Sequence, residues 1–518
     1  MSADGYAFGS APSVEELGQF DLNDFGNAMR LCRTVGAEID EFGNVDPGGA
    51  TLLYVRDLEK WIGWNGRHWD LKLGQRLAQR TAHKVAQGLS AQYHVMLSFN
   101  PKGGKEIMSF IKASGNAGKA AAMLEVAEGY LQVELDAFDN DPLALTVQNG
   151  TLKFRRTPGD GCKVIFAKHD PADRITRMAH VDYDPKAKAP VWESSLAQWQ
   201  PLPEMQNYLQ RLAGYVATGH IHEQVFVILQ GKGRDGKSTF VGALRELLGD
   251  YAGVSDVKTF LDMGQRSGSD ASPDLARLAG DCRLVSVAEP PRGAKLAEAM
   301  IKSFTGGAPI LARFMRKDPF DFLPKPKVLM ECNSRPVIRG DDEGIWRRVR
   351  LIMFERQVAP DKVDKSLAAK LRAEYSGILN WIIVGVGDWL NEGLREPKRL
   401  ADTMDDYRKG SSPFGEWFME RCELEEGFKE TAKLLFGDYK EWCEENGLEK
   451  PMSQTAFGNA LADRQVIRCG KDVKGNVLRM GARLKPKFEP ALGSGLSFNR
   501  DDGLSGVGDL SAEEEPFV

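Results

Sequence analysis

The sequence predicts an α/β fold, and three observations carry that prediction. Short β-branched or apolar runs at 224–230, 284–288, 328–332 and 349–354 alternate with stretches of helical periodicity. The first run leads into a glycine-rich loop, Gly231-Lys232-Gly233-Arg234-Asp235-Gly236-Lys237-Ser238, and then into the helical pattern 239–248. Strand, glycine loop and helix in that order open a βα nucleotide-binding unit. The 518 residues are 42% apolar and 27% charged, with 10 Trp and 25 Phe. That is enough apolar material for several cores and excludes a mostly disordered chain. At roughly 100–200 residues per domain, the length predicts about three to four domains.

Taken in order, residues 1 to about 20 are rich in Gly, Ser and Ala and read as a loose leader, and 1–65 as leader plus short strands. Leu52–Val55 and Trp61–Trp64 read as paired strands, with Asn65-Gly66 as a hairpin turn before Arg67-His68-Trp69. Residues 66–195 form a mainly helical domain: helical spacing from Leu71 to about Tyr130, then a strand-rich patch from Leu143 to His180 broken at Asn149-Gly150 and Pro158-Gly159. The α/β pattern occupies 196–375, opened by a helix over Glu204–Gly219. A helical linker, 376–412, ends at Gly410-Ser411-Ser412-Pro413. A small unit, 413–487, shows helical repeats with Trp417, Phe418, Phe436, Tyr439 and Trp442, then a terminal hairpin around Lys474-Gly475-Asn476. Residues 488–518 are Gly/Ser-rich and acidic, the composition of a disordered tail.

Lys plus Arg number 68 and Asp plus Glu 73, a net charge of −5. Between Ala491 and Val518, Arg500 is the one base against six acidic residues, so the tail carries the whole excess and the body is near neutral. A globally basic nucleic-acid coat is excluded, and any nucleic-acid site must be local. The seven scattered cysteines include no CxxC and no zinc-finger spacing, which predicts reduced thiols in a cytoplasmic setting. Residues 1–13 lack a signal peptide's basic and apolar regions, and no run of about 18 apolar residues predicts a membrane span.

The loop fits G-x-x-x-x-G-K-[ST]. Gly231, Gly233 and Gly236 let backbone N–H groups curl around phosphate oxygens without a Cβ in the way, with Arg234, Asp235 and Thr239 completing the cradle. The helix beginning near Lys237 aims its positive end at the same anion. Lys237 is placed to reach the β- and γ-phosphates of ATP, and Ser238 to set its hydroxyl on Mg²⁺. A second strand ending in an acid is needed to hold that metal and to orient or deprotonate the attacking water. The run Arg283–Glu289 offers Glu289, while Ala288 stands where many such ATPases carry Asp, so Glu289 is expected to serve alone.

Beyond these sites, the segments Pro273–Gly280, Arg283–Glu289, Leu296–Gly307 (LAEAMIKSFTGG), Cys332-Asn333 and Gly340–Arg350 resemble the superfamily 3 helicase core. The resemblance is to the phage and plasmid primase–helicase type, related to the poxvirus replicative helicase. Upstream, Leu145–Leu152, His169-Asp170-Pro171 and Tyr183-Asp184-Pro185 resemble that family's helical domain. The resemblance covers about 65–380 well and 414–485 weakly. It implies an AAA+-like P-loop ATPase core, preceded by a mostly helical domain and followed by a small winged-helix domain. It further implies a homo-oligomeric ring, expected to be hexameric, moving 3′→5′ along single-stranded or forked DNA.

The same resemblance implies roles for further residues. Asn333 matches the polar sensor of the γ-phosphate or attacking water. Arg347 and Arg348 match the region supplying an arginine finger in trans, with Arg339 a third candidate. Ile310–Met315 and Phe320–Leu323 read as two strands joined by Arg316-Lys317-Asp318-Pro319. In the family such a hairpin lines the ring's pore, so Arg313, Arg316 and Lys317 are expected to touch DNA phosphates, with Lys317 at the tip. In the last unit, a helix over Gln454–Arg464 followed by Lys471, Lys474, Arg479 and Arg483 suggests a winged helix that binds an origin duplex. The acidic end Glu513–Val518 offers a docking tip for replication partners, though a solubilising tail is the simpler reading. About 65 residues precede the helical domain, too few for a primase, so no primer synthesis is expected. Three functions compete: a replicative helicase of a phage, plasmid or mobile element, an initiator that melts an origin without processive unwinding, and a small-molecule kinase. The basic hairpin, arginine pair and winged unit argue against the third.

Overall fold

A computed structural model describes residues 11–157, 161–264, 272–313, 319–338, 343–448, 451–462, 468–471 and 477–485. The chain divides into two units, Met1–Pro413 and Phe414–Val518.

In the first unit, the expected loose leader contains a helical turn at Val14–Gly18, capped by Ser13, whose hydroxyl accepts from the Glu16 amide. Helix α1 (Asp24–Thr34), α2 (Leu71–Gly88) and α3 (Ala117–Tyr130) pack on a four-stranded sheet. Its strands are β1 (Leu52–Val55), β2 (Lys60–Trp64), β3 (Trp69–Asp70) and β4 (Gln132–Val133), in the order β3-β2-β1-β4. Trp61, Trp64 and Trp69 are buried, so they serve the core of this sheet. A second sheet, β5 (Ala144–Val147), β6 (Gly150–Thr157) and β7 (Gly161–Ala167), is an antiparallel meander.

Helices α4 (Pro190–Trp199) and α5 (Pro203–Ala217) lead into the central sheet. That sheet has five parallel strands: β8 (Phe226–Gly231), β9 (Ala252–Ser255), β10 (Leu284–Val287), β13 (Lys327–Cys332) and β14 (Val349–Phe354). The spatial order is β9-β10-β13-β8-β14. A short antiparallel hairpin, β11 (Ile310–Arg313) and β12 (Pro319–Phe322), stands apart from it. Helix α6 (Lys237–Leu248) covers one face through Phe240, Val241, Leu244, Leu247 and Leu248, which meet Leu229 and Leu329. On the other face lie Phe226, Ile228, Val285, Val287, Met330 and Cys332, with Ile301 and Phe304 of α7 (Glu298–Thr305). Burial on both faces explains why these strands read as apolar runs without alternation.

Helix α5 also packs along α8 (Tyr375–Glu392), and two glycines permit the close approach. A Cβ on Gly214 would lie 2.2 Å from the Gly385 carbonyl carbon, and one on Gly385 would lie 2.0 Å from the Gln210 carbonyl oxygen. Helix α9 (Lys398–Ser411) runs through Gly410 and Ser411, so the expected linker is helical to Ser411.

A buried ionic cluster ties these layers together. Arg283 donates to Asp281 Oδ2 at 2.6 and 2.9 Å, to the Ala217 carbonyl at 2.6 Å and to the Ala144 carbonyl at 2.7 Å. It therefore pins the start of β10 to the end of α5 and to β5. The nearby Asp139 carboxylate accepts from the Thr176 amide at 2.8 Å and hydroxyl at 2.5 Å.

The second unit has its own aromatic core: Phe414, Trp417, Phe418, Tyr439, Trp442 and Phe457. It comprises α10 (Pro413–Arg421), β15 (Cys422–Thr431), α11 (Ala432–Glu445), α12 (Gln454–Ala462), β16 (Arg468–Lys471) and β17 (Val477–Leu484), with sheet order β15-β17-β16. The glutamate-rich stretch 422–431, read as part of a helical region, is a strand, because pairing with apolar β17 overrides its modest intrinsic preference. Two of the expected DNA-facing bases are engaged internally: Arg479 is buried and donates to the Gly458 carbonyl at 3.0 Å, and Arg483 pairs with Glu423 at 2.9 Å. Lys471 is exposed, and Arg464 and Lys474 lie outside the described residues.

Candidate active site at the carboxyl edge of the parallel sheet

Parallel strands deliver all their carboxyl ends to one edge, and a chain that turns from β8 into α6 there must reverse within five residues. Gly233, Arg234 and Gly236 do so at φ 86°, 53° and 89°. Gly236 is required for a second reason: a Cβ there would lie 2.3 Å from the Trp199 ring. The loop is held from behind by the Gln357 amide, which donates to the Lys232 and Gly233 carbonyls at 3.0 Å each.

Beside this loop lies a cleft of about 420 Å³. Gly233, Arg234, Asp235, Gly236, Lys237, Ser238 and Thr239 line it from the loop and from the first turn of α6. Ala288 and Glu289 line it from the end of β10, and Glu331 and Asn333 from the end of β13. Gly231 sits at the base of the loop, where a Cβ would lie 2.0 Å from Asp235 Oδ2.

Two polar networks organise the cleft. In the first, the buried Lys237 ammonium donates to Asp235 Oδ1 and Oδ2 at 3.1 and 3.0 Å and to Asn333 Oδ1 at 3.1 Å. Asp235 Oδ2 also accepts from the Gly233 amide at 2.9 Å. In the second, the Glu289 carboxylate accepts from the Asn333 amide at 3.0 Å and from Asn333 Nδ2 at 2.7 Å. Asn333 thus bridges the lysine and the glutamate. Ser238 Oγ donates to the Glu331 carboxylate.

Glu331 was not singled out from sequence, and Glu289 does not stand alone. The available signal was a lone carboxylate in the otherwise apolar run Val328–Cys332. Burial pushes the Cys332 thiol up to about 12, with the Glu289 charge adding to the effect, so this neighbour is no nucleophile.

The expected arginines lie elsewhere. A helical turn over Glu343–Trp346 precedes Arg347 and Arg348. Arg348 is buried and donates to the Gly344 carbonyl at 2.6 Å, while the Arg347 side chain is exposed. Neither lines the cleft. Arg313 ends β11, its amide donating to Ser272 Oγ at 3.2 Å. Arg316, Lys317 and Arg339 lie outside the described residues.

Among the described residues, no three His, Cys, Asp or Glu side chains converge as a metal site by themselves. The oxygens of Ser238, Glu331 and Glu289 nevertheless suit Mg²⁺, which takes one or two carboxylates and completes its shell with phosphate and water. No helix among the described residues is long and apolar enough to cross a membrane, and no disulfide joins the cysteines.

Comparison with known proteins places similarity over both parts of the first unit. Residues 39–201 match a family described as D5 N terminal like, and residues 229–348 match a family of unknown function (DUF5906). A protein of Acanthamoeba polyphaga mimivirus, named as a candidate helicase, is 28% identical over 48% of this chain and 28% of its own length. Similarly named proteins of Frog virus 3 and Invertebrate iridescent virus 6 are 25% and 22% identical, over 46% and 65% of this chain and 30% and 38% of their own lengths. The chain therefore spans well under half the length of these relatives. Among solved structures, the apo NrS-1 C terminal region aligns with 66% of this chain and 99% of its own, at 9% identity and a TM-score of 0.32.

Proposed function

The chain belongs to the D5-like primase–helicase family, and from that premise we propose that it is an ATP-driven DNA helicase of a phage, plasmid or mobile element. The reading rests above all on one observation: Lys237 and Ser238, at the start of α6, face Glu289 and Asn333 across the ends of adjacent parallel strands. In this reading, Gly233, Gly236 and the first turn of α6 cradle the triphosphate of ATP. Lys237 draws charge from its β- and γ-phosphates. Ser238 and the acidic side chains beside it would hold Mg²⁺, which would supply charge neutralisation for the triphosphate. Glu289 orients the attacking water and accepts its proton, and Asn333 fixes the glutamate in place.

Phosphoryl transfer gains most from a cation that arrives as charge develops, and an arginine from a neighbouring subunit provides it. Such a group must be exposed. Arg347 meets that condition, whereas Arg348 is turned inward, so the finger is assigned to Arg347. Ring assembly, expected to be hexameric, follows from sharing each site between subunits. The β11–β12 hairpin with Arg313, Arg316 and Lys317 is assigned to the DNA backbone, and the second unit to duplex DNA. The AAA+-like character of the core and the winged-helix character of the second unit belong to the same proposal.

The test is strand displacement on a tailed duplex. Parent protein with ATP and Mg²⁺ is expected to unwind it catalytically, and Lys237→Ala to abolish both unwinding and hydrolysis. Stoichiometric melting without turnover would instead identify an initiator. Normal hydrolysis in Lys237→Ala would refute the site.

A further inference from the structure

Glu289 follows Ala288 at the end of β10, so this strand lacks a carboxylate in the penultimate place from which a metal's hydration shell is usually steered. The neighbouring strand has one. Register pairs Leu229 of β8 with Glu331 of β13 and Val287 of β10 with Met330, so β13 ends between the glycine loop and Glu289. Side chains alternate along β13: Met330 and Cys332 enter the core on the far face, while Leu329 meets the face covered by α6. Glu331 therefore emerges on the α6 side, and its carboxylate accepts the Ser238 hydroxyl proton.

That hydrogen bond has a chemical consequence. A serine hydroxyl that ligates a cation must present a lone pair, so its proton needs an acceptor pointing the other way. Ala288 offers none. We propose that Glu331 is the positioning carboxylate for the metal of this site, orienting Ser238 and the metal's water shell from β13. Glu289, already bound by Asn333, is left to handle the attacking water. The assignment rests on the nucleotide-hydrolysing reading of the cleft and deepens it: two carboxylates divide two tasks, from two strands.

The experiment measures Mn²⁺ binding, by its electron paramagnetic resonance signal, to full-length protein saturated with a non-hydrolysable ATP analogue. Nucleotide affinity in EDTA is measured alongside. Glu331→Ala is expected to weaken Mn²⁺ at least tenfold while changing metal-free nucleotide affinity less than threefold. Glu331→Gln, which keeps an acceptor for the hydroxyl but removes the charge, is expected to fall between. Glu289→Gln should weaken Mn²⁺ less than Glu331→Ala does and lose hydrolysis. Ser238→Ala and Glu331→Ala should be non-additive in Mn²⁺ affinity, since each removes the same arrangement. Parental Mn²⁺ affinity in both Glu331 variants, with nucleotide still bound, would overturn the assignment and leave the nucleotide site standing. Absence of saturable nucleotide binding by the parent protein would overturn both.

Discussion

Lys237 and Asp235, two residues apart on the glycine loop, form a buried ion pair with N–O distances of 3.0 and 3.1 Å. Asp235 also accepts from the Gly233 amide, so its carboxylate occupies groups that a phosphate would otherwise use. A buried anion this near the triphosphate opposes its binding. Asp235→Asn is expected to tighten metal-free ATP binding by roughly tenfold, about 1.4 kcal/mol. Titration of a fluorescent ATP analogue in EDTA checks it, and unchanged or weaker binding would count against an opposing carboxylate.

Arg283 and Asp281 are each about 2% exposed, and the guanidinium also holds two backbone carbonyls. Burial pushes the Asp281 carboxyl up, but the Arg283 charge, with Lys325 and Lys327 behind it, more than offsets this and holds it below the usual range. Asp281→Asn leaves a buried cation without its counter-charge and should cost about 3–5 kcal/mol. Urea unfolding monitored by tryptophan fluorescence measures it, and a loss below about 1 kcal/mol would contradict the pairing.

Asp139 behaves in the opposite way. Burial first, and the nearby Asp281 charge second, raise its carboxyl to about 6 from 3.8. The folded chain then keeps a proton that the unfolded chain releases between about pH 4 and 6, so stability falls as pH rises through that window. Relative to the parent, Asp139→Asn should gain about 2 kcal/mol on going from pH 4 to pH 7. Parallel urea titrations at the two pH values would reveal a constant difference if the carboxyl titrated normally.

Gly214 and Gly385 allow α5 and α8 to touch backbone to backbone. Gly214→Ala places a methyl where no rotamer change can make room, and forcing such a core apart costs about 1–3 kcal/mol or more. Thermal unfolding should show a lower Tm, whereas Gly242→Ala, on α6 with open space around its Cβ position, should leave Tm level or raise it.

Local pattern alone made much of the site legible. The glycine loop, the strand before it and the helix after it are consecutive, so spacing and turn chemistry identified Lys237 and Ser238. The apolar runs 284–288 and 328–332 announced strands ending at Glu289 and Asn333 for the same reason. Arg347 and Arg348 were indistinguishable as a dipeptide, because exposure depends on what packs above each. The strand at 422–431 was hidden because its partner lies some fifty residues onward.

Tertiary structure decided which strand ends become neighbours. The order β10-β13-β8 inserts Glu331 between the glycine loop and Glu289, and brings Asn333 to within 3.1 Å of Lys237 across 96 positions of chain. Nothing in the run Val328–Cys332 states which face its carboxylate will meet, since a strand buried on both sides carries no alternation to read. Sequence could name the chemical groups because they recur at short spacing. Only the closing of five parallel strands into one sheet could assign them to each other, because that order is fixed by long-range packing rather than by neighbouring residues.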